Sequence, residues 1–227
     1  MQKKSAEPKI SINKLSEYLI ATAARRKRIL MDQKYPRGYI THVYRDAYRA
    51  VVEFVCRGHD PQILEKHRSR LRLVARGSDH DAQNANLCLD AIAAFEGFDS
   101  GLPIGQSAAK RAELRFPKLL RSGVRISVKP DILLAGQDNR GRPYVGAIKL
   151  CFSKTRKVED AEAAYTGAVL HHYMQRYASD QQELPCELCI VVDVFARRAY
   201  PAPRAHKQRL SDVRAACEEI AARWPGL

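Results

Sequence analysis

Residues 124–154 read VRISVKPDILLAGQDNRGRPYVGAIKLCFSK, and this stretch decides the fold that the sequence predicts. It contains two runs in which apolar and polar residues alternate, as they do in a strand with one buried face. Between the runs, residues 136–143 are turn formers, which indicates a hairpin. In such a hairpin, Asp131 of the first run and Lys149 of the second leave the sheet on the same side. A carboxylate there can hold a divalent cation, and a lysine can stabilise charge that develops on a phosphate.

These residues resemble the motif of the PD-(D/E)XK nucleases. That motif consists of Pro-Asp, a variable hairpin, and then an acid two residues before a lysine. Pro130-Asp131 and Ala147-Ile148-Lys149 stand at the matching positions. The resemblance implies hydrolysis of phosphodiester bonds with Mg²⁺, or with Mn²⁺, in which Asp131 binds the metal and Lys149 assists the attack of water. Ala147 departs from the motif, because it stands where the family has its second acid and alanine binds no metal.

A hydrolytic site would need that second acid from elsewhere, since Mg²⁺ requires negative charge around it. In parts of the resembled family the acid has moved to the helix after the hairpin, where Glu159 and Glu162 stand, and Glu162 is expected one turn into that helix. The RecB-like branch also uses the helix before the sheet, which makes Glu96 and Glu113 candidates. Asp131, Glu162 and Glu96 are therefore the expected metal ligands, and Asp131, Lys149 and Glu162 the expected catalytic residues.

The order of the predicted elements agrees with the resemblance. Helices are predicted over 11–32, 39–56, 61–76, 80–97, 158–178 and 210–223, and a buried central strand over 187–196. From residue 80 the order is helix, strand, strand, strand, helix, strand and helix, and the core of the resembled family is αβββαβ. The sequence thus predicts an α/β fold with a restriction-endonuclease-like core, a mixed sheet flanked by helices. A loop at 97–107 separates a basic helical part, 1–100, from the α/β core, 101–227, within one compact unit.

Two further stretches resemble segments of the RecB-like branch. Residues 10–30, ISINKLSEYLIATAARRKRIL, resemble its opening helix, which has a Ser-x-Leu-x-x-Tyr-Leu pattern, but Ala-Thr-Ala-Ala-Arg follows where some of its members have a cluster-binding cysteine. That departure argues against an iron–sulfur cluster. The branch also carries Gln-x-x-x-Tyr after the hairpin. Tyr173 and Tyr177 lie in the matching region without that glutamine, for which His172 or Gln175 would have to substitute.

The charge of the chain favours a polyanionic partner. The 227 residues carry a net charge of +14. Nucleic acid is the commonest partner of a protein with such an excess of positive charge, and DNA is the nucleic acid expected here. A general arginine bias in the proteins of the host is the alternative. Two clusters are the expected nucleic-acid contacts: Arg25, Arg26, Lys27 and Arg28 near the end of the first helix, and Lys154, Arg156 and Lys157 after the hairpin. The first cluster is equally compatible with a favourable position at the negative end of the helix dipole.

The six cysteines lie scattered in apolar contexts and are interpreted as reduced, buried side chains. Cys186 and Cys189 form a CxxC, but on a strand they would point to opposite faces, which disfavours a zinc or iron–sulfur site. The neighbouring His171 and His172 are considered as metal or phosphate ligands, although one of two adjacent helical residues usually faces solvent.

No apolar run approaches the ~20 residues that span a bilayer, and no signal peptide is evident. The sequence therefore predicts a cytoplasmic protein without a membrane partner. Whether the protein binds another protein or a second copy of its own chain is left open by the sequence.

Three functions are compatible with these observations. The favoured one is a metal-dependent nuclease that hydrolyses DNA. Ala147 favours the second, a protein of the same fold that binds nucleic acid and has lost catalysis. The third is an interaction subunit of a defence or mobile-element complex, which no residue supports directly.

Overall fold

The structure, a computed structural model, describes residues 5–36, 43–77, 79–112, 117–178 and 182–227, except for the side chains at 79 and 100. The helices in these ranges are α1 (Ile12–Ile20), α2 (Ala23–Lys34), α3 (Arg45–Cys56), α4 (Pro61–Val74), α5 (Asp79–Glu96), α6 (Asp160–Tyr177) and α7 (Lys207–Arg223). The strands are β1 (Lys9–Ser11), β2 (Ala108–Arg111), β3 (Leu119–Arg121), β4 (Val124–Ser127), β5 (Ile132–Gln137), β6 (Pro143–Cys151), β7 (Cys189–Asp193) and β8 (Arg198–Pro201). The predicted α/β class is confirmed.

The central sheet has five strands in the order β2-β5-β6-β7-β8. Strands β6 and β7 are parallel, and the other neighbours are antiparallel. The predicted hairpin is confirmed, because Ile132 lies opposite Ile148 and Gln137 opposite Pro143. The Asp138 carboxylate closes its loop by accepting hydrogen bonds from the backbone N–H groups of residues 140 and 142, at 2.8 and 2.9 Å.

The first run of the hairpin is not one strand, and here the sequence-based prediction was wrong. Strand β4 belongs to a separate three-stranded sheet in the order β1-β4-β3, in which β1 runs parallel to β4. The chain then bends at Lys129, whose φ is +43°, before entering β5. Positive φ is uncommon for a residue with a Cβ and makes a sharp turn. Asp131 therefore stands directly before β5, and its N–H donates to the carbonyl of Ile148 at 2.9 Å.

Helices cover both faces of the central sheet. On one face, α3, α4 and α5 pack against side chains such as Ile132, Ile148 and Ile190. On the other face, α1, α6 and α7 pack with Ala147 and Cys189 and with the small sheet. Each core combines segments from both sides of residue 100, so the division of the chain at that point stays a prediction.

Several predicted elements differ in their bounds. The helix predicted over 11–32 is interrupted at Ala21, and α2 starts anew with the Thr22 hydroxyl accepting from the N–H of Arg25 at 3.4 Å. The central strand is fully buried as predicted but shorter, since a 3₁₀ helix, Cys186–Leu188, precedes β7. Strand β7 ends at Asp193, whose carboxylate accepts hydrogen bonds from the N–H groups of Val158 and Ala196. The first residues of the helix predicted over 39–56 lie outside the described residues.

None of the helices in the described ranges is both long enough and apolar enough to cross a membrane.

Candidate functional site

A cleft of about 610 Å³ opens beside the start of β5. Its described lining contains five basic side chains and three aromatic ones, and Asp131 is its one carboxylate: the basic residues are Arg45, Arg49, Arg111, Lys129 and Lys149, and the aromatic ones Tyr44, Tyr48 and Phe152. Four of the five basic residues are exposed, and Lys149 is half-buried. We call this feature the basic cleft. Its composition suits an anionic ligand with flat rings, because cations attract phosphates and aromatic faces stack on bases.

Asp131 and Lys149 meet at the inner end of the basic cleft, as the sequence predicts. The Lys149 Nζ lies 2.9 Å from Oδ2 and 3.1 Å from Oδ1 of Asp131, and it also donates to the carbonyl of Lys129 at 2.9 Å. The Oδ2 atom accepts a further bond of 2.7 Å from the N–H of Leu150. An ammonium has three protons, so these contacts engage the full donor capacity of Lys149. The pair is rigid and nearly buried.

Tyr48 lines the basic cleft, and the Asp131 carboxylate affects the pKa of its hydroxyl. Burial and the nearby Asp131 carboxylate raise the pKa of Tyr48 to about 12. Its hydroxyl therefore stays protonated at neutral pH and can act as a hydrogen-bond donor beside the carboxylate.

Glu162 lies in the first turn of α6, as predicted, but its partner is an arginine. The Arg156 guanidinium donates two bonds of 2.7 Å to the two carboxylate oxygens, and the Glu162 side chain is 4% exposed. Such a fork is the strongest geometry that an arginine and a carboxylate can adopt. Arg156 is thus an internal ion-pair partner in this structure, whereas the sequence suggested a contact to nucleic acid.

A second buried glutamate adjoins this fork. Glu17 of α1 lies 3.7 Å from the Arg156 guanidinium and pairs with Lys14 at 2.7 Å and Arg25 at 2.6 Å. Burial tends to raise the pKa of Glu17, but the hydrogen bonds from Lys14 and Arg25 outweigh it and hold the pKa below the ordinary value of 4.5. Sequence analysis did not single out Glu17, since it stands in a helical run without a motif of its own.

Cys151, at the end of β6, contacts a polar side chain of α1. The Asn13 amide donates to the Cys151 sulfur at 3.7 Å, and the Asn13 Oδ1 is buried without a hydrogen-bond partner. Burial raises the pKa of Cys151 to about 12; the charge of Lys149 lowers it, and the charges of Asp131, Glu162 and Asp193 raise it. The amide oxygen of Asn13 is a neutral ligand that suits a hard divalent cation.

Ala147 lies on the same side of β6 as Lys149 and Cys151, but its surroundings are the apolar core that packs with α6. It is fully buried, and its partners across the sheet are Leu133 on β5 and Cys189 on β7. Nothing in this environment would hold a carboxylate in its ionised form. The position has become part of the core.

The other candidate acids lie elsewhere. Glu96, at the end of α5, pairs with Arg68 of α4 and does not line the basic cleft. The structure thus does not bring Glu96 to Asp131 as a ligand, because the last turn of α5 is held by α4. Glu159 is the exposed N-cap residue of α6. Glu113 lies outside the described residues.

The basic cluster on α2 is largely occupied by contacts within the protein. Arg25 pairs with Glu17, and Arg28 lies 3.4 Å from an Asp32 oxygen. Arg26 donates to the carbonyls of Tyr18 and Leu19 and lies 3.6 Å from Glu219. Lys27 is exposed, as is Lys157 before α6, and Lys154 is exposed and pairs with Asp90 of α5 at 2.7 Å. None of these residues lines the basic cleft.

The Tyr173 region is structural. Tyr173 is fully buried, and its hydroxyl donates to the carbonyl of Pro117 at 2.8 Å, while burial raises its pKa to about 12. His172 accepts a bond of 3.0 Å from Arg121. The Tyr177 ring at the end of α6 lies tilted against the Tyr173 ring, with ring centroids 4.8 Å apart.

Apart from Asp131 and Lys149, the residues that line the basic cleft were missed, because they come from four separate segments. Arg45 and Arg49 are one turn apart on α3, and so are Tyr44, the N-cap residue, and Tyr48. That i, i+4 spacing of two arginines beside two tyrosines was the available signal. Arg111 lies on a different strand, β2, and only the fold brings it close to Asp131.

Comparison with known proteins adds no assignment. The chain matches no profile of a known protein family, and a search of curated proteins finds no significant relative.

Proposed function

We propose that the protein binds DNA across the basic cleft and hydrolyses it with a divalent cation at the Asp131–Lys149 end. The observation that carries this proposal is the placement of a directly opposed carboxylate and lysine, one directly before β5 and the other on β6, at the bottom of a cleft whose wall is basic and aromatic. Phosphates of a nucleic-acid backbone would contact the arginines, and bases or sugars would lie against the tyrosines.

The topology supports the same proposal. Without the β3–β4 hairpin, the elements α5, β2, β5, β6, α6 and β7 follow the αβββαβ order of the PD-(D/E)XK nucleases. Asp131 directly precedes the second of these strands, and Lys149 lies on the third. Glu162 on α6 stands where parts of that family place the second acid, so the replacement at Ala147 does not exclude a metal site.

The residues near Cys151 fit a hard cation. Asp131 and Glu162 would supply carboxylate oxygens, and Asn13 a neutral one. A bound Mg²⁺ or Mn²⁺ would act as a Lewis acid towards phosphate and water. For this to occur, Arg156 has to release Glu162. Lys149 would then be held by Asp131 and Lys129 close to the phosphate, where its positive charge stabilises the developing negative charge.

The binding step is tested with labelled single-stranded and duplex DNA in a salt titration. The double variant Arg45→Gln/Arg49→Gln should weaken binding about 10-fold or more, and should lower the slope of log affinity against log salt by about one for each phosphate that the arginines no longer neutralise. Arg214→Gln on α7, an exposed arginine paired with Glu218, is the control and should change neither. Equal effects of the two variants would refute the basic cleft as the binding surface.

The hydrolytic step is tested in the same preparation with Mg²⁺, Mn²⁺ or EDTA. Asp131→Asn keeps an oxygen that can accept from Leu150 N–H while it removes the charge, so the fold should persist and metal-dependent cleavage should disappear. The control is Glu218→Gln, which removes an exposed carboxylate on α7. Cleavage that survives in Asp131→Asn would exclude this residue as a metal ligand.

Binding without hydrolysis is the second candidate, and two observations favour it. The donors of Lys149 are all engaged, and Glu162 is held by a two-pronged arginine contact. In that case the wild-type protein retards DNA, yields no products with either metal, and shows the same melting temperature with and without Mg²⁺.

A further inference from the structure

Three potential metal ligands from separate segments meet beside α6, and none of them lines the basic cleft. They are His171 of α6, Cys186 of the 3₁₀ helix before β7, and His206 at the N-cap of α7. One ligand atom from each lies within 4.8 Å of the others. His171 is buried, whereas Cys186 and His206 are half-buried, so solvent reaches one side of the group.

Hydrogen bonds to the backbone fix which nitrogen of each imidazole can bind a metal. The His171 Nε2 lies 3.1 Å from the carbonyl of Leu184, and the His206 Nδ1 lies 3.2 Å from the carbonyl of Pro203. A carbonyl only accepts, so each of these nitrogens carries the proton. The lone pairs then remain on the His171 Nδ1 and the His206 Nε2. Metal-binding histidines are commonly oriented in this way, with the other ring nitrogen donating to a carbonyl.

The buried lone pair of His171 is unsatisfied. Its Nδ1 is buried and has no hydrogen-bond partner. Buried polar atoms are rarely left in this state, and each exception asks for a missing ligand, water or ion.

We propose that His171, Cys186 and His206 bind Zn²⁺, with solvent as the fourth ligand. Two imidazoles and a thiolate form a donor set that Zn²⁺ prefers and Mg²⁺ does not. Zinc bonds of about 2.0–2.3 Å in a tetrahedron place ligand atoms roughly 3.3–3.8 Å apart. Since one ligand atom of each residue already lies within 4.8 Å of the others, small side-chain rotations would bring the three ligands to this geometry. The site is separate from the oxygen ligands near Cys151, and the proposal does not depend on the nuclease function.

The surroundings leave these three ligands available. The neighbouring acid Glu187 is bound by Arg204, and the adjacent His172 is turned to Arg121, so neither competes for the same position. Cys189, the other half of the CxxC, is fully buried in the core beside Ala147. A bound zinc would therefore link three segments: α6, the 3₁₀ helix before β7 and the start of α7. A site formed by the CxxC alone would connect none of these segments to another.

The test uses the full chain, stripped with a chelator and titrated with Co²⁺ and Zn²⁺. Wild-type protein should take up one Co²⁺ per chain, with the intense visible bands of a tetrahedral site and a thiolate-to-cobalt band in the near ultraviolet, both of which Zn²⁺ abolishes. Zinc at about 100 times its dissociation constant should raise the melting temperature by about 5–10 °C. The matched variants are Cys186→Ser and His206→Gln, and the controls are Cys56→Ser on α3 and His172→Gln.

The two matched variants should bind about 100-fold more weakly or worse, and Cys186→Ser should lose the thiolate band, while the controls should behave as the wild type. Circular dichroism of the metal-free variants checks that they fold. A Cys186→Ser protein that retains stoichiometric cobalt binding would overturn the proposal, and so would a wild type whose affinity equals that of the matched variants.

Discussion

Replacement of Arg156 by methionine tests both the energetics of the Glu162 site and its capacity for metal. Methionine keeps much of the apolar stem of arginine and removes the guanidinium. The Glu162 carboxylate, whose side chain is 4% exposed, then loses both bonds of 2.7 Å. A buried ion pair that loses one partner costs about 3–5 kcal/mol, because the remaining charge stays desolvated.

The magnitude has to be reduced for solvent. The Arg156 side chain is 41% exposed, so water already weakens the pair and can reach part of the carboxylate once the arginine is gone. We therefore expect a loss of about 2–3 kcal/mol in the free energy of unfolding. For a chain of this length that corresponds to a fall in melting temperature of about 5–10 °C. Urea unfolding in EDTA measures the loss directly.

Divalent metal should then distinguish a cation site from a simple ion pair. Millimolar Mg²⁺ or Mn²⁺ should restore much of the lost stability in Arg156→Met, because a cation can occupy the position of the guanidinium beside Glu162 and Glu17. Adding Glu162→Gln to the variant should also restore stability, but should remove the response to metal. Arg214→Met, which breaks an exposed pair with Glu218, is the control and should lose less than about 1 kcal/mol. If Arg156→Met is no less stable than this control, the Glu162 carboxylate is not a costly buried charge. If metal stabilises both variants equally, no cation binds at Glu162.

Three further changes follow from the packing. Gly146→Ala should cost about 1–3 kcal/mol in urea unfolding, because a Cβ there would lie 2.5 Å from the carbonyl oxygen of Leu188; an unchanged midpoint would contradict this contact. Lys34→Met should destabilise the fold by about 1–3 kcal/mol, since the buried Nζ donates to the carbonyl of Trp224 at 2.5 Å and its loss leaves that oxygen unsatisfied; a variant as stable as the wild type would show that water replaces the ammonium. Glu17→Gln should reduce stability more at pH 7 than at pH 3. The folded pKa of Glu17 lies below its unfolded value near 4.5, so its contribution is present above that value and is lost as the pH falls through the folded pKa; an equal deficit at both pH values in thermal melts would refute the charge-based origin.

The sequence predicts the parts of the fold that repeat locally. The alternation in residues 132–137 and 143–151 identifies the β5–β6 hairpin, and the same parity places Asp131 and Lys149 on one side of it. The break at Lys129 escapes such a pattern. Val124, Ile126, Val128 and Ile132 keep the spacing of one continuous strand, although they are divided between two sheets. A single residue with positive φ changes the direction of the chain without changing the alternation.

The candidate sites show the same limit. Asp131 and Glu162 could be found because each stands at a defined distance from a motif residue. Arg111 could not, because it reaches the basic cleft through the pairing of β2 with β5. His206 and Cys186 likewise meet only in the folded chain, since no local spacing relates them to His171. The CxxC drew attention to Cys186, but the potential metal ligands that the fold brings beside it are His171 and His206, not Cys189.

The pairing of β1 with β4 has a consequence for the order in which the protein acquires its structure. Helices α3, α4 and α5 are consecutive and pack on one another, so that layer needs contacts over short distances in the sequence. In contrast, Lys9 lies opposite Arg125, and α1 packs on α6, which are separated by on the order of a hundred residues. The segment that leaves the ribosome earlier is therefore fixed later. Until β4 and α6 have been made, Ile10, Leu15 and Tyr18 have no core to enter and remain open to water, to chaperones and to proteases.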